Sequence, residues 1–262
     1  MHYIRAGRGA PPLIFVHGFA CSHEDWLLQI NELKNRFEVA ACDLRGHGQT
    51  PGRPGECTIA HYGGDVAALL SVLGLEKSVL IGHSMGCRVV LEAAHLAPER
   101  VTGLVLIDGS RLASGDPDQA EGAARAAIEK AGYPAFAESL FRQMFFTPSA
   151  LAEATVVRAL RQSAEFGPVL WPGMARWDAA EMDGALAAVR APMLVIQSTT
   201  RNAELKREPL AKGQSSPWLD LLRERIKDLR IEVLPGFGHF PQIEAAGEVN
   251  RLLATFAAGC KR

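Results

Sequence analysis

The chain predicts an α/β fold: a mostly parallel central sheet flanked by helices on both faces, with a helical insertion late in the core. Three observations carry this expectation. Short, nearly continuous apolar runs recur along the 262 residues, as strands buried on both faces do. Segments with apolar residues at helical spacing alternate with them. From Leu112 to Val189 the alternation stops, and the chain becomes rich in Ala, Glu, Arg and aromatics.

The expected strands are Leu13–Val16, Phe37–Cys42, Val79–Ile81, Leu104–Ile107, Met193–Ile196 and Ile231–Leu234. The first helix, Ile59–Leu73, ends at Gly74, which suits a C-cap. A second, Arg88–Leu96, stops before Pro98, because the residue ahead of a proline is pushed out of the helical region. Trp218–Leu229 and Ala245–Ala258 read as amphipathic helices near the end of the chain. Asp116-Pro117 opens the insertion, and Pro168, Pro172 and Gly173 interrupt it. The expected division is therefore a core of residues 1–111 and 190–262 and a helical cap or lid of residues 112–189.

Composition narrows the function classes. With 28 basic and 29 acidic residues the formal net charge is −1, and no basic run offers a nucleic-acid footprint. No stretch of about 18 apolar residues exists to span a bilayer. The start of the chain lacks the basic, apolar and small-residue order of a secretory leader, so a cytoplasmic location is expected. Cys21, Cys42, Cys57, Cys87 and Cys260 are odd in number and lack zinc spacing, and read as reduced thiols. Cys42 and Cys87 sit in apolar settings that suit small buried fillers. No GxGxxG marks a dinucleotide site. Neither cofactor nor metal is expected, and the oligomeric state is left open.

The strongest chemical signal is Gly82-His83-Ser84-Met85-Gly86, which follows an expected strand and precedes an expected helix. That is the GxSxG pattern in the strand–turn–helix context its mechanics need. The sharp turn exposes the serine oxygen above a helix N-terminus, and the flanking glycines avoid collisions a Cβ would make. A serine hydroxyl is a weak nucleophile that needs an adjacent base, and histidine suits that role near neutral pH. Of eight histidines, His239 stands in a glycine-rich loop after the last expected strand, where it can reach over the sheet edge.

Taken together, His17-Gly18-Phe19, Asp43-Leu44-Arg45-Gly46-His47-Gly48, Gly82–Gly86 and Pro235-Gly236-Phe237-Gly238-His239-Phe240 resemble, in order, the conserved-order motifs of the α/β-hydrolase superfamily. The resemblance covers nearly the whole chain, but the fold hosts many chemistries. It implies Ser84 as nucleophile, His239 as base, and an oxyanion hole from the backbone N–H groups of Phe19 and Met85. It also implies that His17 packs beneath the oxyanion loop, that Asp43 and His47 order their own turn, and that His83 helps line the pocket. His23 is near enough to the oxyanion loop to touch substrate, whereas His2, His61 and His95 carry no motif.

The acid is harder to place. The superfamily usually puts an aspartate a few residues after the strand matching Met193–Ile196. Here the stretch is Gln197-Ser198-Thr199-Thr200-Arg201-Asn202, with Arg201 at the expected spacing. Asp108, at the end of the earlier strand, preserves the order Ser…Asp…His and is the first candidate for holding the imidazole tautomer. Glu204 is the reserve, and a Ser84–His239 dyad the third arrangement.

The insertion supplies aromatics that could line a pocket above Ser84. Phe145, Trp171 and Trp177 are the candidates, with Met144 and Phe146 beside them and Phe240 from the histidine loop. The resulting expectation is a serine hydrolase of a small ester-like, amide-like or carbon–carbon substrate. The alternatives are a cofactor-independent dioxygenase or a lyase using the His239–Asp108 pair, and a non-catalytic ligand-binding relative. Epoxide hydrolases and haloalkane dehalogenases of this fold use an aspartate nucleophile, and position 84 is serine.

Overall fold

The computed structural model describes residues 1–202 and 206–260. Seven strands form one sheet: β1 (Tyr3–Ala6), β2 (Leu13–Val16), β3 (Val39–Cys42), β4 (Ser78–His83), β5 (Val101–Ile107), β6 (Met193–Gln197) and, below, the last strand of the chain. A hairpin outside this sheet supplies β7 (Thr199–Arg201) and β8 (Arg207–Pro209), and β9 (Leu229–Val233) completes the main sheet. Its order is β1-β3-β2-β4-β5-β6-β9. Only β1 runs antiparallel to its neighbour.

The apolar runs work as two-faced strands. Along β2, Ile14 and Val16 join one core while Leu13 and Phe15 join the other. In the same way Leu104 and Leu106 of β5 point to the first core, and Val105 and Ile107 to the second. Successive side chains of a strand alternate between faces, so a run with no polar member needs cover on both. That cover comes from α1 (Leu27–Leu33), α2 (Ile59–Val72) and α3 (Met85–Leu96), and from helices further along the chain.

Between β5 and β6 lie five helices and no strand: α4 (Pro117–Ala131), α5 (Tyr133–Arg142), α6 (Ala150–Ser163), α7 (Gly167–Ala180) and α8 (Met182–Ala188). Asp116 caps α4 by accepting from Gln119 N at 2.8 Å, leaving Pro117 at a position where no N–H is needed. A buried ion pair anchors the insertion to the sheet's covering layer. Arg88 of α3 donates from Nε and Nη2 to the two carboxylate oxygens of Asp178 in α7, at 2.7 and 2.6 Å. Asp178 also accepts from Leu112 N at 2.6 Å.

The remaining helices are α9 (Pro217–Arg225), α10 (Pro241–Glu244) and α11 (Ala246–Gly259). The expected helix Trp218–Leu229 is thus corrected: it stops at Arg225, and Leu229 begins β9. Ile226 and Leu229 satisfy a helical spacing as well as a strand, which is why the pattern ran through the boundary. Phe37 belongs to the core but not to β3, which starts at Val39. All five cysteines are buried. Among the described residues, no helix is long and apolar enough to cross a membrane.

Candidate active site

Strands β4 and β5 lie side by side, with His83 opposite Ile107. The next residue on each is Ser84 and Asp108, so the sheet delivers both to the same rim. Both have left-handed backbones, with φ of 54° and 45°. Such a conformation in a residue with a side chain is strained and persists only where the surroundings impose it. At Ser84 they do. A Cβ on Gly82 would meet the carbonyl oxygen of Gly86 at 2.2 Å, and one on Gly86 would meet that of Val16 at 2.3 Å. The turn closes only because both positions lack a side chain.

The loop after β9 brings His239 over this rim. Its Nε2 stands 2.7 Å from Ser84 Oγ, and its Nδ1 stands 2.6 Å from Asp108 Oδ2. Four hydrogen bonds fix the loop. His239 N donates to the carbonyl of Met144, in the insertion, at 2.7 Å. Gly238 N and Phe240 N donate to the two oxygens of Glu244 at 3.0 and 3.2 Å. His83 Nε2 donates to His239 O at 2.7 Å.

Asp108 is fully buried and heavily solvated by protein. Its Oδ1 accepts from Ser198 N and Thr199 N, both at 2.8 Å. Its Oδ2 accepts from Thr199 Oγ1 at 2.5 Å and from Arg207 Nη1 at 3.1 Å, besides facing His239. The segment after β6, where the superfamily usually carries an acid, here supplies the donors that hold an acid from β5. Burial alone would raise the Asp108 pKa, but His239, Arg207 and Thr199 together bring it down to about 2. Burial, and after it the positive charge of Arg207, pushes His239 well below its ordinary value. The pair therefore rests as carboxylate and neutral imidazole: Nδ1–H donates to Asp108, and bare Nε2 accepts the Ser84 hydroxyl proton. That is the disposition a general base requires.

A small pocket of about 20 Å³ sits at Ser84, bordered by Phe19, Met85, Arg88, Met144, Met174 and Trp171, with Arg201 and Arg207 on one side. It shares Ser110, Leu112, Trp171, Arg201 and Arg207 with a cavity of about 940 Å³ under the insertion. Of the aromatic pocket candidates, Trp171 borders both spaces. The others border neither: Phe146 is exposed, and Trp177, Phe145 and Phe240 pack against other side chains. Trp177 is buried and turns its indole N–H toward Glu92 at 3.3 Å. Phe145 stacks on Phe240, centroids 5.1 Å apart, and Phe240 rests against His83. His83 is a clamp on the His239 backbone, its pKa lowered to about 4 by burial.

The remaining histidines near the site bond to backbone or to Asp43. His17 Nδ1 donates to Gly18 O at 2.8 Å, and its Nε2 accepts from Leu44 N at 3.0 Å. His47 Nδ1 donates to Arg45 O at 3.1 Å. Asp43 accepts from Gln49 N and His23 N, and His23 turns its ring to Asp43 rather than toward Ser84. Glu204 lies outside the described residues. Sequence reasoning missed Ser198, Thr199, Arg207 and Glu244. None belongs to a motif, and only the tertiary arrangement brings them to Asp108 and His239.

The family model for the alpha/beta hydrolase fold matches residues 11–246. The chain belongs to this family. The dihydrolipoyllysine-residue acetyltransferase component of the acetoin cleaving system of Pseudomonas putida is 30% identical over 251 residues, 95% of this chain and 64% of that protein. The component of the same name from Cupriavidus necator is 37% identical over 107 residues, 41% of this chain and 29% of its own length. The chain thus spans less than two thirds of either relative. Among solved structures, a malate-bound thermophilic esterase from Thermogutta terrifontis superposes with a TM-score of 0.78 at 25% identity, over 97% of this chain and 92% of that one.

Proposed function

We propose that this alpha/beta hydrolase family member is a serine hydrolase of a small ester-like substrate. The observation that carries the reading is the continuous line Ser84 Oγ, His239 Nε2, His239 Nδ1, Asp108 Oδ2, with gaps of 2.7 and 2.6 Å. In the first step Ser84 Oγ attacks the substrate carbonyl as its proton passes to His239 Nε2. The oxyanion that forms is met by the backbone N–H groups of Phe19 and Met85, which border the pocket with Ser84. The imidazolium is stabilised by Asp108 and returns its proton to the leaving alcohol as the carbonyl–oxygen bond breaks. Water then repeats the sequence on the acyl-enzyme, releasing the acid and restoring Ser84. On this reading residues 112–189 act as a cap over the site.

Intact-mass analysis after treatment with a fluorophosphonate tests this directly. Wild type is expected to gain one adduct rapidly. Ser84→Ala is expected to gain none, and Asp108→Asn to react slowly. Absence of labelling in wild type would remove Ser84 as an activated nucleophile. Equal labelling in Asp108→Asn would move the acid elsewhere or leave a dyad.

A further inference from the structure

Arg201 stands where the superfamily usually carries its acid, and among the described residues no side chain pairs directly with its charge. Its Nε is buried without a hydrogen-bond partner. Among the described residues no carboxylate forms an ion pair with it. Its neighbours in the cavity are committed: Arg207 to Asp108 at 3.1 Å, and Arg111 to Asp183 at 2.8 Å. The guanidinium instead lies over the Trp171 ring, 5.6 Å from its centroid.

The surroundings repeat the sign. Arg111, Arg201, Lys206 and Arg207 border the 940 Å³ cavity, and no aspartate or glutamate among the described residues does. Otherwise its walls are apolar or neutral, with a row of alanines from α4 and the rings of Phe136, Trp171 and Trp218. Burial, with Arg207 and Arg88 nearby and only partly offset by the more distant Asp108 and Asp178, lowers Arg201 to about 9, still protonated at neutral pH. A shielded cation with no carboxylate in direct contact is under-compensated, and a ligand that brings one is favoured. A planar guanidinium stacked on an aromatic and offering free N–H donors fits a carboxylate in two-point contact.

Resting on the serine hydrolase reading, we infer that the substrate carries a free carboxylate, that Arg201 binds it, and that Trp171 holds the guanidinium in place. Arg201 borders the small pocket at Ser84 as well as the large cavity. The carboxylate therefore lies near the scissile carbonyl, and the apolar cavity takes the rest of the molecule. Arg201 is here a specificity residue that touches substrate, and takes no part in the proton relay.

Two matched pairs of substrates test this. In one the carboxylate is on the acyl side: mono-4-nitrophenyl glutarate against its methyl ester. In the other it is on the leaving group: 4-acetoxybenzoate against methyl 4-acetoxybenzoate. Wild type is expected to favour the anionic member of at least one pair by about 10- to 100-fold in kcat/KM. Arg201→Met is expected to abolish that preference by lowering kcat/KM for the anionic member far more than for the neutral one. Calorimetry of glutarate and 4-hydroxybenzoate binding to Ser84→Ala, with and without Arg201→Met, reads the same contact without turnover. Lack of preference in both pairs, or a preference that survives Arg201→Met, overturns the inference. Turnover of the neutral esters with no anion preference would discard it alone and keep the hydrolase. If wild type neither labels nor turns over any ester, the hydrolase reading fails. Calorimetry then decides the carboxylate site: Arg201-dependent binding keeps it, and no binding discards it.

Discussion

His239 Nδ1 lies 2.6 Å from Asp108 Oδ2, and Asp108 ends the strand immediately beside that of Ser84. The proposed nucleophile and the proposed acid are therefore neighbours across one ladder, with the histidine bridging them. On this reading Asp108→Asn leaves the fold intact but no longer fixes the imidazole tautomer. Ester hydrolysis should fall by about 10³- to 10⁴-fold in kcat, with KM little changed. Steady-state kinetics on a neutral nitrophenyl ester checks it. A loss of tenfold or less would show that Asp108 is not the orienting acid.

The pH profile follows from the same pair. His239 acts as base only when neutral, and burial with the Arg207 charge holds its pKa well below the ordinary 6.5. Activity should therefore persist below pH 6.5 and be lost only as pH falls through the depressed value. Arg207→Met removes a positive charge near the imidazole, so protonation becomes easier and the acid limb of kcat/KM should move to higher pH. An unmoved limb would mean that Arg207 does not tune the base.

Glu244 holds the N–H groups on both sides of His239. Glutamine has one oxygen acceptor where the carboxylate has two, so Glu244→Gln leaves one N–H facing an amide donor. About a tenfold drop in kcat with unchanged KM is expected. Slowed fluorophosphonate labelling should accompany it. Labelling and kcat at wild-type levels would show that the loop is held without Glu244.

The Arg88–Asp178 pair is buried, with side-chain exposures of 3% and 0%. Asp178→Asn leaves Arg88 as a buried charge without its counter-ion, a loss of about 3–5 kcal/mol. The thermal midpoint should fall by roughly 10 °C. Arg88→Met combined with Asp178→Leu should recover much of it, because an apolar pair of similar size carries no desolvation penalty. Calorimetric melting of wild type and the two variants decides the point.

Some of this molecule was legible before any coordinates. Gly82 and Gly86 are fixed by backbone collisions, with Gly86 itself and with Val16 of β2, and both glycines stand in the five-residue motif around Ser84. The strands Leu13–Val16 and Met193–Ile196 could be read because burial on both faces removes every polar residue from them. Strand β1 was not, because half-exposed Tyr3–Ala6 has no such run. The motifs left Asp108, Glu204 and a dyad open, since choosing between them depends on where the Ser198–Thr199 amides point. Trp177 and Phe145 looked like pocket walls because an aromatic inside an insertion reads the same whether it faces a ligand or a neighbouring side chain.

The bond from His239 N to the Met144 carbonyl has a wider consequence. The proposed base takes part of its position from the insertion, so residues 112–189 are not a detachable accessory. A trimmed chain retaining only the sheet and its covering helices would free the histidine loop as well as open the cavity. An insertion transplanted from another family member would change where the imidazole sits as well as what the cavity admits. Redesign of substrate range by segment exchange therefore has to keep the Met144 acceptor in register with His239.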